Sequence, residues 1–208
     1  MTFNQSKLII NQNPSGKMIN YTEKNEKSED GKNKYLLVLK SCWKMLLNTF
    51  LIYFVSLSIF PAVQARVKPL NHILSDKYFE SVTCFLTFNL CGMIGNYLAQ
   101  ILPKVSPKRL WIYILLRFLF IPFTLFCNYN PEQRKLPVLI KSDIAYLSGN
   151  ILMGLSFGYL SSLSIMYTPK CVDSHLQSTA GMMSALIIIV GILCGIYFAL
   201  LYPSIVLI

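Results

Sequence analysis

Two carboxamides lie inside an apolar stretch of this sequence, where they could bind a polar ligand. Asn89 and Asn96 are separated by Gly92 and Gly95 within the run 82–102, which contains no charged residue. A carboxamide both donates and accepts hydrogen bonds, and a polar group without a partner costs roughly several kcal/mol in hydrocarbon. We therefore expect both side chains to face neighbouring helices or a water-filled cavity. This indicates a pathway inside a helix bundle and makes transport the first function to test.

The elements that must position these amides are predicted membrane-spanning helices. The chain of 208 residues is 54% hydrophobic and 13% charged, with a mean hydropathy of +0.49, and its apolar residues form long blocks. Each block is long enough to cross about 30 Å of hydrocarbon at about 1.5 Å per residue. The sequence therefore predicts an all-α polytopic membrane protein, with a disordered tail at 1–34 and a five-helix transmembrane domain at 35–208. The five predicted spans are 40–63, 78–102, 110–128, 142–166 and 178–203.

The basic residues indicate how the chain is oriented in the membrane. The formal net charge is +10, and eight of the 19 Lys and Arg residues lie at or before Lys44. These charges lie in the tail and in short loops, without aromatic residues interleaved on a soluble face, so they argue against nucleic-acid binding. Positive charge favours the cytoplasmic side of a membrane. We therefore expect a cytoplasmic N-terminus, with the lipid bilayer as a partner.

The sequence contains no pattern of catalytic or cofactor chemistry. The six cysteines are dispersed without a Cys-x-x-Cys pair, and we find no glycine-rich phosphate loop, metal-spaced His/Cys cluster or nucleophile constellation. We therefore predict a protein that is not an enzyme and that needs no cofactor or metal. No Asp or Glu falls in the interior of a predicted span, so this segment offers little for proton or sodium coupling.

A second group of residues is predicted to shape the bundle. The third span contains an arginine and a proline. Contacts inside a helix bundle explain these two residues better than exposure to lipid does. For the arginine the sequence favours a structural anchor over a substrate contact. Two Gly-xxx-Gly pairs allow neighbouring helices to approach closely. The residues with predicted structural or gating roles are Arg117, Pro122, Gly154, Gly158, Gly191 and Gly195.

Five short motifs follow one another along the predicted spans. They are Phe60-Pro61-Ala62-Val63, Cys84-Phe85-Leu86-Thr87-Phe88-Asn89, Arg117-Phe118-Leu119-Phe120-Ile121-Pro122, Cys127-Asn128 and Gly158-Tyr159-Leu160-Ser161-Ser162-Leu163. In order and spacing they resemble the C-terminal half of the equilibrative nucleoside transporter family. The resemblance covers residues 40–203.

The resemblance implies an architecture and a function. Members of that family have eleven spans in a major-facilitator-like fold, and this chain resembles spans seven to eleven, so six spans are missing. The family moves nucleosides, and in some members nucleobases, down their gradients by alternating access, most often in the plasma membrane. We therefore expect a facilitative transporter half that needs its N-terminal spans. The alternative is a membrane interaction protein that does not transport and instead pairs with a full-length transporter.

The resemblance also implies roles for individual residues. Asn89 matches an asparagine that lines the central site, and Phe60-Pro61 matches the outer end of span seven near the external gate. The family usually has an aspartate at the position of Gly92 and an arginine at that of Asn96, a pair one turn apart that can offer the arginine to ribose hydroxyls. Losing both together leaves no lone buried charge.

Without that charged pair, hydrogen bonding to a sugar or base edge would use neutral amide bonds, each contributing roughly 0.5–1.5 kcal/mol. For Asn89 the alternative is a hydrogen bond between helices that only holds the bundle together, and for Asn96 it is an amide near a helix end that reaches water. We therefore predict substrate-binding positions at Phe60, Asn89, Gly92 and Asn96, and a gating position at Pro61.

Overall fold

The computed structural model describes residues 21–70, 75–102, 105–131 and 137–206, with side chains for 33–70, 75, 77–102, 105–131 and 137–205. The chain divides after Leu37 into two units. In the first unit, residues 21–37 are helical. The second unit begins at Val38 and contains the other helices. Residues 1–20 of the predicted tail lie outside the described residues, and the boundary between tail and membrane domain stays a prediction.

Helices make up most of the described chain. They are α1 (Tyr21–Ile59), α2 (Asp76–Glu80), α3 (Thr87–Ile101), α4 (Leu110–Leu116), α5 (Phe120–Phe126), α6 (Asp143–Tyr167), α7 (Gln177–Ala199) and α8 (Tyr202–Val206). A π-helical turn at Ser81–Leu86 joins α2 to α3. The described residues form no β-strand, and a single antiparallel bridge joins Val67 to Tyr129.

Four helical segments are long and apolar enough to cross a membrane, and a fifth apolar segment is shorter. The four are Asn33–Arg66, Lys77–Ile101, Asp143–Cys171 and Ser174–Ile205, and the fifth is Leu110–Phe126. They match the five predicted spans in order. The prediction of an all-α polytopic membrane protein is therefore confirmed.

The third span is broken near its centre. A 3₁₀ turn at Arg117–Leu119 separates α4 from α5. Pro122 has no N–H for the carbonyl of Phe118, four residues earlier, and its ring crowds that carbonyl. A regular α-helix therefore cannot continue through this point.

Helices α3 and α6 pack with their backbones nearly in contact. A Cβ atom added to Gly158 would overlap the carbonyl oxygen of Gly92 and lie 2.8 Å from the backbone nitrogen of Asn96. A Cβ added to Gly154 would lie 2.9 Å from the Cβ of Cys91. Only glycine permits this approach, and small residues let membrane helices gain van der Waals contact that larger residues would prevent.

Helices α1 and α7 also approach each other closely, but at this contact only α7 contributes glycines. A Cβ on Gly191 would lie 3.0 Å from the carbonyl oxygen of Phe50, and a Cβ on Gly195 would lie 2.7 Å from that of Phe54. The pair of glycines in α7 thus forms a groove that receives the backbone of α1. This is the close approach expected of a Gly-xxx-Gly pair.

A buried amide network fixes the region where α1 ends. The side chain of Gln64 donates from Nε2 to Oδ1 of Asn150 at 2.7 Å, and Asn150 donates from Nδ2 to the carbonyl oxygen of Thr83 at 3.1 Å. The hydroxyl of Tyr146 donates to the carbonyl oxygen of Gln64 at 3.1 Å. Thr83 lies in the π-helical turn, where the regular helical ladder is interrupted. The network therefore supplies partners to backbone groups that lipid could not satisfy.

The glycine contact between α3 and α6 leads to a direct test. We expect Gly158→Ala to destabilise the chain by about 1–3 kcal/mol, because the added methyl group meets backbone atoms that cannot turn aside. Gly181→Ala is the matched control, since a Cβ at Gly181 meets nothing within 4 Å and alanine favours the helix by about 1 kcal/mol. Thermal unfolding of the detergent-purified chain, followed by circular dichroism, measures both. Equal melting temperatures would contradict the packing described above.

Candidate functional site

Amide side chains form a polar stripe on the exposed face of α3. Asn89, Asn96 and Gln100 are all exposed, and their spacing of seven and four residues places them on one side of a helix. Asn89 donates from Nδ2 to the carbonyl oxygen of Phe85 at 2.8 Å. Asn96 accepts at Oδ1 from the hydroxyl of Ser162 on α6 at 2.9 Å. These hydrogen bonds orient the side chains of Asn89 and Asn96, and both side chains remain exposed.

Gly92 lies beside the amide stripe, one turn before Asn96, at the edge of α3 that packs against α6. A Cβ at this position would meet Cδ1 of Phe157 at 3.8 Å and the carbonyl oxygen of Gly154 at 3.9 Å, which are ordinary van der Waals contacts. The residue is buried, whereas Asn89 and Asn96 are exposed. The four predicted substrate-binding positions therefore do not share one surface, and Gly92 belongs to the helix contact.

Phe60 begins an aromatic stack that connects the end of α1 to α3 and α6. Its ring lies 4.2 Å from that of Phe88, nearly parallel at 14°, and the ring of Phe88 lies 5.3 Å from that of Phe157. The ring of Phe85 packs edge-on against Phe60 at 5.7 Å. Pro61 follows by a cis peptide bond. Phe60 thus packs against Phe88 and Phe85, which precede Asn89 by one and four positions.

Arg117 is a buried cation that joins three segments of the bundle. Its exposed fraction is 1%. Nη1 donates to the carbonyl oxygen of Met153 at 3.1 Å and to the hydroxyl of Ser156, and Nη2 donates to the hydroxyl of Ser56 at 2.9 Å. Its charge also lies 5.9 Å from the ring centre of Phe157. The contacts are neutral and link the third span to α1 and α6, and the structural role of Arg117 stays a prediction.

A groove of about 440 Å³ lies beside Arg117, between the third span and α6. Arg117 and Ser156 contribute polar atoms, and Leu116, Phe120 and Leu152 contribute apolar surface. The amides of α3 do not line this groove. The arginine and the amide stripe are therefore separate features of the bundle.

Sequence reasoning missed the partners of the candidate residues. Ser162 belongs to a motif quoted above, but no sequence signal pairs it with Asn96, 66 positions away. Gln100 was detectable, because it continues the helical spacing of Asn89 and Asn96. Gln64 and Asn150 are buried polar residues whose pairing depends on the fold.

The sequence of this chain is similar to those of known proteins. A family model described as nucleoside transporter matches residues 2–203. The chain belongs to this family. It is 29% identical over 186 residues to equilibrative nucleoside transporter 2 of Homo sapiens, covering 88% of this chain and 41% of that protein. It is 30% identical over 173 residues to equilibrative nucleoside transporter 1 of Homo sapiens, covering 81% and 38%.

More distant similarity extends to plants. The chain is 26% identical over 145 residues to equilibrative nucleotide transporter 1 of Arabidopsis thaliana, covering 70% of this chain and 30% of that protein. The chain thus spans about two fifths or less of the length of these curated relatives. Family membership and the apolar helices together identify the described chain as an integral, multi-pass membrane protein.

The positions of Gly92 and Asn96 allow the missing charged pair to be tested by a double-mutant cycle. We expect Gly92→Asp alone to destabilise the chain by about 2 kcal/mol or more, because its carboxylate would be buried without a cation. Adding Asn96→Arg places a guanidinium one turn away, and we expect about 1–2 kcal/mol of that loss to be recovered. Thermal unfolding in detergent measures the cycle.

The control combines Asn96→Arg with Gly181→Asp, which adds the same two charges without bringing them together. Its effects should add within about 0.5 kcal/mol. If the pair at positions 92 and 96 is equally additive, the two positions do not form a charge-pair site in this chain.

Proposed function

We propose that this chain forms the C-terminal half of a facilitative nucleoside transporter, and that the amide stripe of α3 lines its substrate path. The observation that carries the proposal is the exposure of Asn89 and Asn96, with Gln100, along one side of a predominantly apolar helix. A lipid-facing helix surface would not retain such groups, because each unsatisfied amide is costly in hydrocarbon. Membership of the nucleoside transporter family supports nucleosides as the substrate class.

The two amides offer complementary hydrogen-bonding groups. Within the described residues, Asn89 uses an N–H for Phe85 and leaves its carbonyl oxygen available, while Asn96 uses its carbonyl oxygen for Ser162 and leaves its N–H groups available. Ribose hydroxyls and base edges both donate and accept hydrogen bonds, so they suit such a pair. Each neutral bond contributes roughly 0.5–1.5 kcal/mol. Recognition by this wall would thus be weaker than recognition by a charged pair, and less selective among nucleosides and nucleobases.

The proposed mechanism is alternating access with movement down the gradient. The spans of this chain would form one wall, and a complementary half would form the other and move against it. No Asp or Glu lies in the interior of a span, which supports facilitative movement by this half. We further propose a plasma-membrane location, the N-terminus in the cytoplasm, and an outer gate that includes Phe60 and Pro61.

Complementation in cells tests the whole proposal. In cells that lack nucleoside transport, we expect the chain alone to give background uptake of labelled uridine. Co-expression with the six N-terminal spans of equilibrative nucleoside transporter 2 should restore uridine transport. Its rate should saturate as the uridine concentration rises and should be the same into and out of the cell. Those N-terminal spans alone are the control.

Uptake by the chain alone would contradict the assignment of a half-transporter. A chain that never restores uptake, but binds intact equilibrative nucleoside transporter 2 and changes its rate, would instead support the interaction protein considered above.

The role of Asn89 can be separated from folding by comparing two asparagines. In the complemented transporter we expect Asn89→Ala to lower uptake about threefold to tenfold at low uridine, from the loss of one neutral hydrogen bond, with an unchanged melting temperature. Asn150→Ala removes a buried amide that bonds Gln64 and Thr83. It should lower the melting temperature and the amount of protein in the membrane. If Asn89→Ala acts only through stability, Asn89 does not line the path.

A further inference from the structure

A second site lies at one end of the bundle, away from the amide stripe. A groove of about 540 Å³ separates the first half of the membrane part of α1 from the start of α4. Trp43, Lys44 and Asn48 line it from α1, and Lys108 and Trp111 line it from the loop before α4 and from α4 itself. The two lysines and the two tryptophans are exposed, so their cationic and indole groups are available to a ligand.

The floor of this groove contains a buried amide that is poorly satisfied. Asn48 has an exposed fraction of 6%. In the described part of the chain its one hydrogen bond runs from Nδ2 to the thioether sulfur of Met45, at 4.0 Å. A thioether is a weak acceptor. A buried carboxamide in this state can take a further partner, such as an ester or phosphate oxygen, without giving up a good hydrogen bond.

The walls of the groove are held in place by the fold. The hydroxyl of Tyr167 donates to the carbonyl oxygen of Val105 at 2.9 Å, which fixes the loop that contains Lys108. On the other wall, the hydroxyl of Thr49 lies 2.7 Å from that of Ser164, which ties α1 to α6. The groove therefore exists before any ligand arrives, and binding would not require it to be ordered.

Charge distinguishes this end of the bundle from the other. Among the described residues, the segments 40–44, 105–109 and 168–175 contain five Lys and Arg residues and one acidic residue, Asp173. The described segments at the opposite end, 61–70, 75–80, 128–131 and 137–143, contain four basic residues and three acidic ones. The electrostatic potential at the end with the groove is thus more positive, which favours an anionic ligand there.

We propose that this groove binds the headgroup of an anionic phospholipid. Lys44 and Lys108 would contact the phosphate from its two sides, and Asn48 would donate to an ester oxygen below it. Indoles favour the depth of lipid headgroups, where one part of the ring is apolar and the N–H meets water. The acyl chains would then lie along the apolar surface of Leu47 and Trp111, and the lipid would link α1 to α4. The cytoplasmic leaflet, which this end is predicted to face, is rich in such lipids.

The two tryptophans of the sequence both line this groove, so fluorescence reports on it directly. We would place the purified chain in phosphatidylcholine vesicles that contain increasing fractions of phosphatidylserine with brominated acyl chains, which quench nearby indoles. Brominated phosphatidylcholine gives the baseline. We expect phosphatidylserine to quench at a fraction roughly thirtyfold lower, because its headgroup has a net negative charge where phosphatidylcholine is zwitterionic, and each lysine near a net anionic headgroup contributes a factor of about five.

The variant that removes the site is Lys44→Gln with Lys108→Gln, and we expect it to abolish the preference for phosphatidylserine. The matched control is Lys40→Gln with Lys170→Gln, which removes the same charge at the same end from residues outside the groove, and it should stay within about twofold of the natural chain. All four lysines are exposed, and circular dichroism verifies that each variant is folded. Equal losses in the two variants would overturn the proposal, because they would indicate attraction by the whole surface.

Two further outcomes also bear on the ligand. Soluble glycerophosphoserine, which has no acyl chains, should fail to displace the brominated lipid. Full displacement would overturn the assignment to a lipid and indicate a site for a free phosphate. Equal quenching by brominated phosphatidylcholine would likewise overturn the preference for an anionic headgroup. None of these outcomes depends on nucleoside transport.

Discussion

The direct contact between the backbones of α3 and α6 is the constraint on which the candidate path depends. Gly158 admits the backbone of Gly92 and Asn96 so closely that no side chain fits between the helices. This contact fixes the rotation of α3 about its own axis, because only one face of the helix carries the glycines. The face that carries Asn89 and Asn96 is then left exposed beside this contact, where Asn96 still reaches Ser162 of α6. In lipid, where burial of apolar side chains gives little driving force, such close packing is a main source of helix association.

Buried polar side chains of the bundle bond to one another and to backbone carbonyls, because no water is available to them in the hydrocarbon region. Arg117 donates to a backbone carbonyl and to two serine hydroxyls, and Gln64 and Asn150 satisfy each other and the carbonyl oxygen of Thr83. Each of these groups would be costly if it faced hydrocarbon. Arg117 and Gln64 lie at irregular points, the 3₁₀ turn of the third span and the turn that follows α1, and both bond to groups of the regular helix α6. Through Asn150, the same helix also bonds the carbonyl oxygen of Thr83 in the π-helical turn. Helix α6 therefore supplies the hydrogen-bonding partners that these irregular segments lack.

The sequence predicts the fold well because its strongest signals are local. Long apolar blocks, a proline at position 122 and glycines four residues apart specify helices, a break and close contacts without reference to other parts of the chain. The candidate site is less predictable. Gly92 and Asn96 are one turn apart, and sequence alone places them on one face, yet the fold buries one and exposes the other. That difference depends on which helix packs against α3, as does the pairing of Asn96 with Ser162.

The geometry at positions 92 and 96 explains how a charged pair could be lost or gained without changing the fold. Backbone atoms at these positions form the contact with Gly158, and the side chains do not take part in it. A Cβ at Gly92 would have its nearest neighbours at 3.8 Å and 3.9 Å, which is ordinary contact, while the side chain of Asn96 lies on the exposed face. Side chains here would therefore change the polarity of the proposed path, while the backbone contact with Gly158 can stay in place. Gly158 has no such freedom, since any side chain there meets backbone. In the proposed path, packing and recognition would thus use different atoms of the same helical turn, so substrate preference could diverge while the bundle stays the same.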